Sequence, residues 1–383
     1  MEKNSISKPK INFNVRTYTM IAALFILWII FSFTTDWAFI TARNLSNLMR
    51  QMSIVGIMSI GMVMVIVTGG IDLSAGSVMG FISCIAAALQ VWSAWGTAET
   101  IIVVLLAGAL IGLINGVLIA YTGVPAFIIT LGGQLIFRGA VLAVTRGTTV
   151  APLEKSFLEI GQAFIDPTLG YILAALAVVG LLIKEYANIR AKRKYELEVS
   201  VPMAIIRWIV YSVVVIAVII LVNSYRGLPS PVLLMLILVI IFTFITEKTT
   251  FGRKVYALGG NMDAAKYSGI NVRRNVTVVY LLNGFLNAIA GIVLAARLNA
   301  GTPQAGMNLE LDAIASAVIG GTSMTGGIGK PAGAILGALI MATIDNGMSM
   351  MNLDAFWQYI VKGIILVVAV WFDVRTRARG TKT

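Results

Sequence analysis

Two side chains suited to chemistry lie close together in a glycine-rich segment of the chain. Asp72 and Ser74 stand in the run GGIDLSAGS at 69–77. A carboxylate and a hydroxyl in such a run can cap a helix or satisfy backbone donors left free where a membrane helix breaks. They can equally face a water-filled path. A structural role and a place on a translocation pathway are both open, so Asp72 and Ser74 are candidate pathway residues.

A second glycine-rich segment is similar to the first. GGTSMT at 320–325 aligns with GGIDLS at 69–74, and a GxxxG pair at 329–333 follows it as another follows the first segment at 76–80. The similarity predicts an internal repeat, which in transporters commonly places the pathway between two halves of the chain. Chance similarity among glycine-rich membrane segments is the alternative. The second segment adds two pathway candidates, Thr322 and Ser323.

Ionisable side chains inside apolar segments are costly and usually functional. Arg138 lies near the middle of the segment 126–146, where it either pairs with a buried group or contacts substrate, and it is the fifth pathway candidate. Asp312 and Asp345 lie toward the outer ends of their segments, and Lys362 is close enough to an interface for its ammonium to reach water. Few charges lie in the other spans, which argues against a carrier coupled to protons or sodium.

The sequence lacks the usual parts of a catalytic or metal site. It has no histidine and one cysteine, Cys84, so His-based acid–base chemistry and an intramolecular disulfide are excluded. The run GGIGKP at 326–331 approaches a P-loop, but Met324 replaces the first glycine and Pro331 replaces the hydroxyl residue that would hold magnesium. We predict neither an enzyme nor a bound cofactor, and any ATP that drives the protein must bind to another chain.

Membrane helices must position these residues. The 383 residues are 58% hydrophobic and only 12% charged, whereas soluble domains are about half apolar and about a quarter charged. Since a helix needs about 20 apolar residues to cross a bilayer, we predict an all-α polytopic transmembrane bundle of about 10–12 spans. Two weaker segments, 126–146 and 310–328, are each candidates for a broken or re-entrant helix. The apolar segments are 18–35, 52–69, 77–96, 100–121, 126–146, 169–184, 201–222, 231–246, 276–297, 310–328, 332–350 and 357–373.

The distribution of positive charge predicts the topology. The chain has 29 Lys and Arg against 17 Asp and Glu, and if all the apolar segments cross, most basic residues lie on the side of the two termini. The positive-inside rule places that side in the cytoplasm, so the basic balance reflects topology and not nucleic-acid binding. We expect a cytoplasmic tail at 1–17, a transmembrane domain at 18–373 and a basic cytoplasmic tail at 374–383.

The largest predicted cytoplasmic loop, 246–275, contains a segment suited to a protein contact. There GGNMDAAKYSGI at 259–270 joins a glycine break to a short helix-prone run that a second glycine stops. A helix of this kind can dock in a groove of a partner, and an ordinary solvated turn is the equal alternative. The candidate coupling residues are Gly259, Gly260, Asn261, Ala264, Ala265, Ser268, Gly269 and Ile270.

These segments resemble the permease family of ABC-type importers for ribose, galactose, arabinose and xylose. The resemblance extends over roughly 18–373 and is carried by GGIDLSAGS at 69–77, VPAFIITLGG at 124–133, GGNMDAAKYSGINV at 259–272 and AVIGGTSMTGGIGKPAGAILGALI at 317–340. The segments most similar to the xylose branch are ARNLSNLMRQ at 42–51, DNGMSMM at 345–351 and FWQYIVKG at 356–363.

The resemblance implies the permease subunit of an ATP-driven importer in the bacterial plasma (inner) membrane, most similar to those that carry D-xylose. It implies a homodimer in membrane lipid, a cytoplasmic ATP-binding subunit that contacts 259–270, and an extracytoplasmic sugar-binding protein that holds most of the affinity for sugar. The loop differs from the EAA-type loop of other ABC importers in two ways: its run at 263–265 is Asp-Ala-Ala, and the glycine that follows, Gly269, lies closer to that run. A self-contained secondary active sugar carrier is the alternative function.

Overall fold

The computed structural model describes residues 15–195 and 200–380. Within these ranges, ten helices are long and apolar enough to cross a membrane, so the prediction of an all-α polytopic bundle is confirmed. Two short strands, β1 (Phe164–Ile165) and β2 (Leu228–Pro229), pair antiparallel. The helices are α1 (Val15–Thr34), α2 (Ala42–Val67), α3 (Ala75–Ser93), α4 (Thr97–Thr122), α5 (Ala126–Thr145), α6 (Lys155–Gln162), α7 (Pro167–Lys194), α8 (Val201–Asn223), α9 (Ser230–Lys248), α10 (Thr250–Gly260), α11 (Met262–Tyr267), α12 (Val272–Leu298), α13 (Leu309–Ile319), α14 (Pro331–Met350) and α15 (Ala355–Gly380).

The two weaker apolar segments have different structures. The segment 126–146 forms one continuous helix, α5, of 20 residues. The segment 310–328 is broken, because α13 has only 11 residues and is therefore about 16 Å long. Its helix stops at a glycine pair, where Gly321 has a φ of +103°, a backbone conformation that side chains with a Cβ rarely adopt. A bilayer core of about 30 Å is too thick for α13 alone.

The core of the bundle surrounds α2. In the most apolar stretch of this helix, 89% of the residues are buried, and it packs against α9, α12, α13 and α14. Apolar character alone does not place a helix in the centre, because lipid also suits an apolar surface: α8 has a mean hydropathy of 2.8 against 1.8 for α2, yet only 17% of its most apolar stretch is buried. It is the packing of α2 against its neighbours that places it in the middle of the molecule.

Glycines bring α4 and α12 into close contact. Gly108, Gly112 and Gly116 lie on one face of α4, and a Cβ on Gly112 would collide with the carbonyl oxygen of Tyr280 and lie 3.0 Å from the Cα of Gly284. Missing side chains let two backbones approach in this way. The spacing of four residues puts these glycines on one face of the helix, which is typical of close packing between membrane helices.

The last helix, α15, lies at the periphery. Within Ala355–Arg375, no residue of the most apolar stretch is buried, although Asp373 near the end of this range is. Its helix continues to Gly380, through most of the predicted tail at 374–383. The predicted tail at 1–17 and the end of the C-terminal tail lie largely outside the described residues, which leaves both tails as predictions.

Candidate translocation and coupling sites

The first glycine junction (residues 68–74) is closed by hydrogen bonds to Asp72. Gly69, with a φ of +84°, turns the chain after α2. One carboxylate oxygen of Asp72 accepts bonds from the backbone N–H of Ser74 at 2.8 Å and from its hydroxyl at 2.6 Å. The other accepts from the side-chain amide of Asn283 on α12 at 2.6 Å. Asp72 and Ser74 are both buried.

Two further helices bond to the first glycine junction. The amide of Asn115 on α4 donates to the Ser74 hydroxyl at 3.2 Å. The hydroxyl of Thr130 on α5 accepts from the N–H of Leu73 at 3.1 Å. Asp72 thus joins the turn to α12 and Ser74 joins it to α4, as the structural alternative requires, while Leu73 joins it to α5. Their place on a pathway stays a prediction.

The second glycine junction (residues 320–330) is hydrogen-bonded to the peripheral helix α15. Thr322 and Ser323 are buried there. A carboxylate oxygen of Asp373 on α15 accepts from the Ser323 hydroxyl at 3.1 Å and from the N–H of Met324 at 3.3 Å. This polar contact joins α15, whose apolar stretch is exposed, to the turn between α13 and α14.

The second junction bonds to the end of α2, next to the first junction, through backbone atoms and not through the candidate side chains. The N–H of Gly327 donates to the carbonyl of Val67, the last residue of α2, at 2.9 Å. The four candidates Asp72, Ser74, Thr322 and Ser323 therefore occupy two separate polar clusters. Sequence similarity placed the clusters at equivalent turns, but the structure gives them different neighbours. The internal repeat stays a prediction.

Arg138 belongs to neither cluster. Its guanidinium donates to the carbonyl of Ala305 at 3.2 Å and to that of Pro303 at 3.4 Å, and the side chain is half-buried. Among the described residues, the partners of Arg138 are backbone carbonyls, and no carboxylate lies within 4.0 Å of it. Substrate contact by Arg138 remains a prediction.

Glu310 is a buried acidic residue that the sequence did not single out. It is 1% exposed, and one of its carboxylate oxygens accepts from the amide of Gln134 on α5 at 2.6 Å. The other oxygen has no hydrogen-bond partner among the described residues. The sequence did contain a signal for Glu310, since an acidic residue at the start of an apolar segment is unusual. The same signal identified Asp312.

A buried charge cluster joins the last three helices. The ammonium of Lys362 on α15 lies 2.8 Å from a carboxylate oxygen of Asp312 on α13 and 2.8 Å from one of Asp345 on α14. The ammonium is thus held between two carboxylates, which ties α15 to α13 and α14. That Lys362 lies close to a membrane interface stays a prediction.

The predicted coupling segment folds as two short helices, α10 and α11. The side chain of Asn261 caps α11 by accepting from the N–H of Ala264 at 2.9 Å. Gly269, with a φ of +80°, ends it, and the N–H of Ile270 donates to the carbonyl of Ala265 at 3.1 Å. Of the candidates, Gly260, Asn261, Ala264, Ser268 and Gly269 are exposed, Gly259 and Ile270 are half-buried, and Ala265 is buried.

The outward face of α11 does not include Ala265, one of the candidate coupling residues. Ala265 is only 4% exposed and packs inward, so it cannot offer a contact to a partner. Tyr267 is 90% exposed and Met262 is 48% exposed. A helix of 6 residues is too short for its pattern to reveal which face turns outward, which is why these two residues were missed.

The inner side of α10 touches the second glycine junction. A Cβ on Gly259 would collide with the carbonyl oxygen of Val67 and lie 2.5 Å from the nitrogen of Gly327. The hydroxyl of Tyr256 donates to the carbonyl of Gly329 at 2.6 Å, and burial raises the pKa of Tyr256, which favours the protonated, donating form. The coupling segment therefore lies directly on the turn that α15 also contacts.

Comparison with known proteins agrees with this architecture of apolar helices and buried polar turns. Residues 44–370 match the family described as "Branched-chain amino acid transport system / permease component". The chain is 46% identical to the xylose transport system permease protein of Escherichia coli (strain K12) over 368 residues, which are 96% of this chain and 94% of that protein. No solved structure matches significantly.

Two other relatives cover similar lengths. The xylose transport system permease protein of Haemophilus influenzae is 46% identical over 96% of this chain and 98% of its own. The ribose import permease protein of Bacillus subtilis (strain 168) is 34% identical over 93% of this chain and 92% of its own.

The molecule is a multi-pass membrane transport component. By the family match and these identities, the chain belongs to the permease family of such transport systems. The predicted resemblance is confirmed, and so is the prediction that the chain is a transport subunit and not itself an enzyme.

Proposed function

We propose that this chain is the membrane-spanning permease subunit of an ATP-driven importer that carries D-xylose across the bacterial plasma membrane. The observation that supports this most is the identity of 46% to xylose permease proteins over nearly the whole chain, against 34% to a ribose permease protein. No observation favours the alternative of a secondary active carrier.

The energy would enter at α10 and α11. A separate ATP-binding subunit would dock against the exposed Tyr267 and Met262, since an exposed aromatic and a methionine on a short helix suit a groove of a partner. Gly259, Gly260, Asn261, Ala264, Ser268, Gly269 and Ile270 would shape this contact, while Ala265 would hold α11 against its own chain.

Both termini and the coupling segment would face the cytoplasm, following the positive charges. The permease would form a homodimer in the lipid, and an extracytoplasmic sugar-binding protein would deliver the sugar on the opposite face. The exposed apolar stretch of α15 is available to lipid or to the second copy.

Transport would proceed by alternating access. A ligand shifts an equilibrium only when it contacts the two states differently, and here the ATP-binding subunits would provide that difference by drawing the coupling segments together on binding ATP. Movement of α10 would reach the second glycine junction through Gly259 and Tyr256, and would reach α15 through Asp373.

The test of this proposal is reconstitution in liposomes with the ATP-binding subunit and the sugar-binding protein. We expect ATP-dependent uptake of radiolabelled D-xylose, with ribose, galactose and arabinose taken up much more slowly. Uptake without ATP and without the ATP-binding subunit would support the secondary carrier. Equal uptake of ribose would remove the assignment to xylose.

The coupling contact is tested by Tyr267→Ala combined with Met262→Ala. This pair should reduce co-purification of the ATP-binding subunit and reduce uptake, while the protein stays folded because both side chains are exposed. Tyr186→Ala on α7 is the matched control, since Tyr186 is also exposed, at 66%, but lies outside the coupling segment. Normal uptake by the double variant would place the contact elsewhere.

A further inference from the structure

An arginine cleft opens on the bundle face opposite the coupling segment. Its volume is about 600 Å³, and it lies where α2 begins. The far end of α2, at Val67, touches α10, and α2 has 26 residues, so the cleft is about 39 Å from the coupling segment. The residues used below are Arg43, Ser46, Arg50, Phe164, Tyr225 and Arg226, all of which line it.

Positive charge accumulates in the arginine cleft without acidic partners. The Arg50 guanidinium stacks 4.2 Å from the centre of the Phe164 ring, and Arg226 lies 5.5 Å from the centre of Tyr225. Among the described residues, Arg43, Arg50 and Arg226 form no ion pair with a carboxylate, and no acidic side chain lines the cleft. Like charges held together in this way repel each other unless an anion joins them.

Two buried donors in the same cleft are also unsatisfied. Ser46 is 1% exposed, and its hydroxyl has no hydrogen-bond partner among the described residues. The Nε of Arg50 is likewise buried and unpaired, although another of its nitrogens donates to the carbonyl of Gln162 at 2.9 Å. Buried donors are normally paired, so the cleft offers hydrogen bonds that an acceptor from outside the chain would complete.

The position of the cleft indicates which kind of anion fits. The cleft is bounded by the start of α2, by the segments next to β1 and β2 and by the end of α14, so protein lies on several sides of it. The N-terminal end of α2 also carries the positive end of the helix dipole, and the side chain of Thr41 forms no capping bond there. Lipid phosphates surround a bundle, whereas a protein docked on its face reaches the middle.

We propose that the arginine cleft is the docking site for acidic side chains of the extracytoplasmic sugar-binding protein. This inference rests on the proposed function. Arginine suits the role because its planar guanidinium binds a carboxylate through two parallel hydrogen bonds. Arg43 and Arg226, both exposed, receive the carboxylates first, and Ser46 and Arg50 complete the contact deeper in the cleft.

The test combines Arg43→Gln with Arg226→Gln in the permease bound to its ATP-binding subunit, placed in nanodiscs of neutral lipid. Both residues are exposed, so the variant should fold and its basal ATP hydrolysis should be unchanged. Binding of the sugar-binding protein should weaken about tenfold or more at low salt. The loss should shrink as salt is raised from about 50 to about 300 mM, because salt screens exposed charges.

Arg146→Gln is the matched control, since Arg146 is also exposed and lies 5.4 Å from the centre of the Trp92 ring, outside the cleft. It should bind the sugar-binding protein within about twofold of the unchanged permease, as surface substitutions away from a contact have small effects. Equal binding by the double variant and the unchanged permease overturns the docking site, as does equal weakening by the control.

Two further outcomes are distinguishable. A defect that appears only when the nanodiscs contain anionic lipid assigns the cleft to lipid headgroups and overturns the proposal. If the unchanged permease itself fails to bind the sugar-binding protein, the proposed function fails first, and with it the docking site. Restored binding of Arg43→Glu by a charge-reversed sugar-binding protein carrying lysine in place of an acidic residue supports it directly.

Discussion

The two glycine junctions have similar sequences but different neighbours. In the first, Asp72 is enclosed by bonds to its own turn and to α12, deep in the bundle. In the second, Ser323 bonds to Asp373 of the peripheral helix α15, and Gly327 lies against the coupling segment. A cleft of about 790 Å³ separates part of the second junction from α9 and α10, whereas Asp72 and Ser74 of the first junction are buried.

The difference indicates that a shared sequence pattern does not fix a shared role. A glycine pair ends a helix in both places, but the polar residue that follows takes its partner from whichever helix the fold brings near. The first junction fixes the centre of the bundle. The second joins two exposed parts of the molecule, and it is there that we expect movement.

The largest effect should come from Asp72→Ala. This change leaves the N–H of Ser74 and the amide of Asn283 unpaired in a buried site, at a cost of about 3 kcal/mol or more in the free energy of unfolding. We expect little folded protein by size-exclusion chromatography and a much lower melting temperature in detergent.

Asp166→Ala is the control for that change. Asp166 caps α7 by accepting from the N–H of Thr168 at 2.8 Å, but it is exposed, so water can replace the lost bond. The pKa of Asp166 is lowered by its hydrogen bonds to Thr168. A melting temperature for Asp72→Ala as high as that of Asp166→Ala would refute the central role of the first junction.

A smaller loss should follow Lys362→Met, which removes the cation between Asp312 and Asp345. The two carboxylates then face each other without compensation, and we expect a loss of about 2 kcal/mol. Adding Asp312→Asn and Asp345→Asn should recover part of the melting temperature, because neutral side chains no longer repel. No recovery in the triple variant would mean that packing, and not charge, holds α15.

Adjacent glycines in α10 give a sharper test of the contact with the second junction. A Cβ on Gly259 would collide with Val67, whereas one on Gly260 would meet nothing within 4 Å. Gly259→Ala should therefore cost about 1–2 kcal/mol and displace α10, reducing uptake more than Gly260→Ala does. Equal uptake by the two variants, measured per folded permease in liposomes, would contradict transmission through Gly259.

The sequence predicted the helices better than it predicted their polar contacts. Hydrophobic runs of sufficient length identified the spans. The spacing of Gly112 and its neighbours favours a close helix contact, but it does not indicate that α12 is the partner. The hydrogen bond between Ser323 and Asp373 and the one between Lys362 and Asp312 each join residues about 50 positions apart. The periodicity of apolar residues does not reveal such pairs. The inward rotation of Ala265 was hidden because α11 is so short.

The smallest effect on stability should come from Asp373→Ala, which makes the same change in the second junction as Asp72→Ala makes in the first. The Ser323 hydroxyl lies 3.0 Å from that of Thr325 and can pair with it instead, and the N–H of Met324 is only half-buried. We therefore expect a loss of about 1 kcal/mol in the free energy of unfolding.

If the second junction transmits movement to α15, uptake per folded permease should nevertheless fall several-fold in Asp373→Ala while ATP hydrolysis persists, because the turn then moves without the helix. Measuring melting temperature, uptake and hydrolysis on one preparation separates the two junctions: Asp72→Ala should lose folded protein, and Asp373→Ala should lose coupling. Unchanged uptake in Asp373→Ala would show that the second junction does not transmit movement to α15.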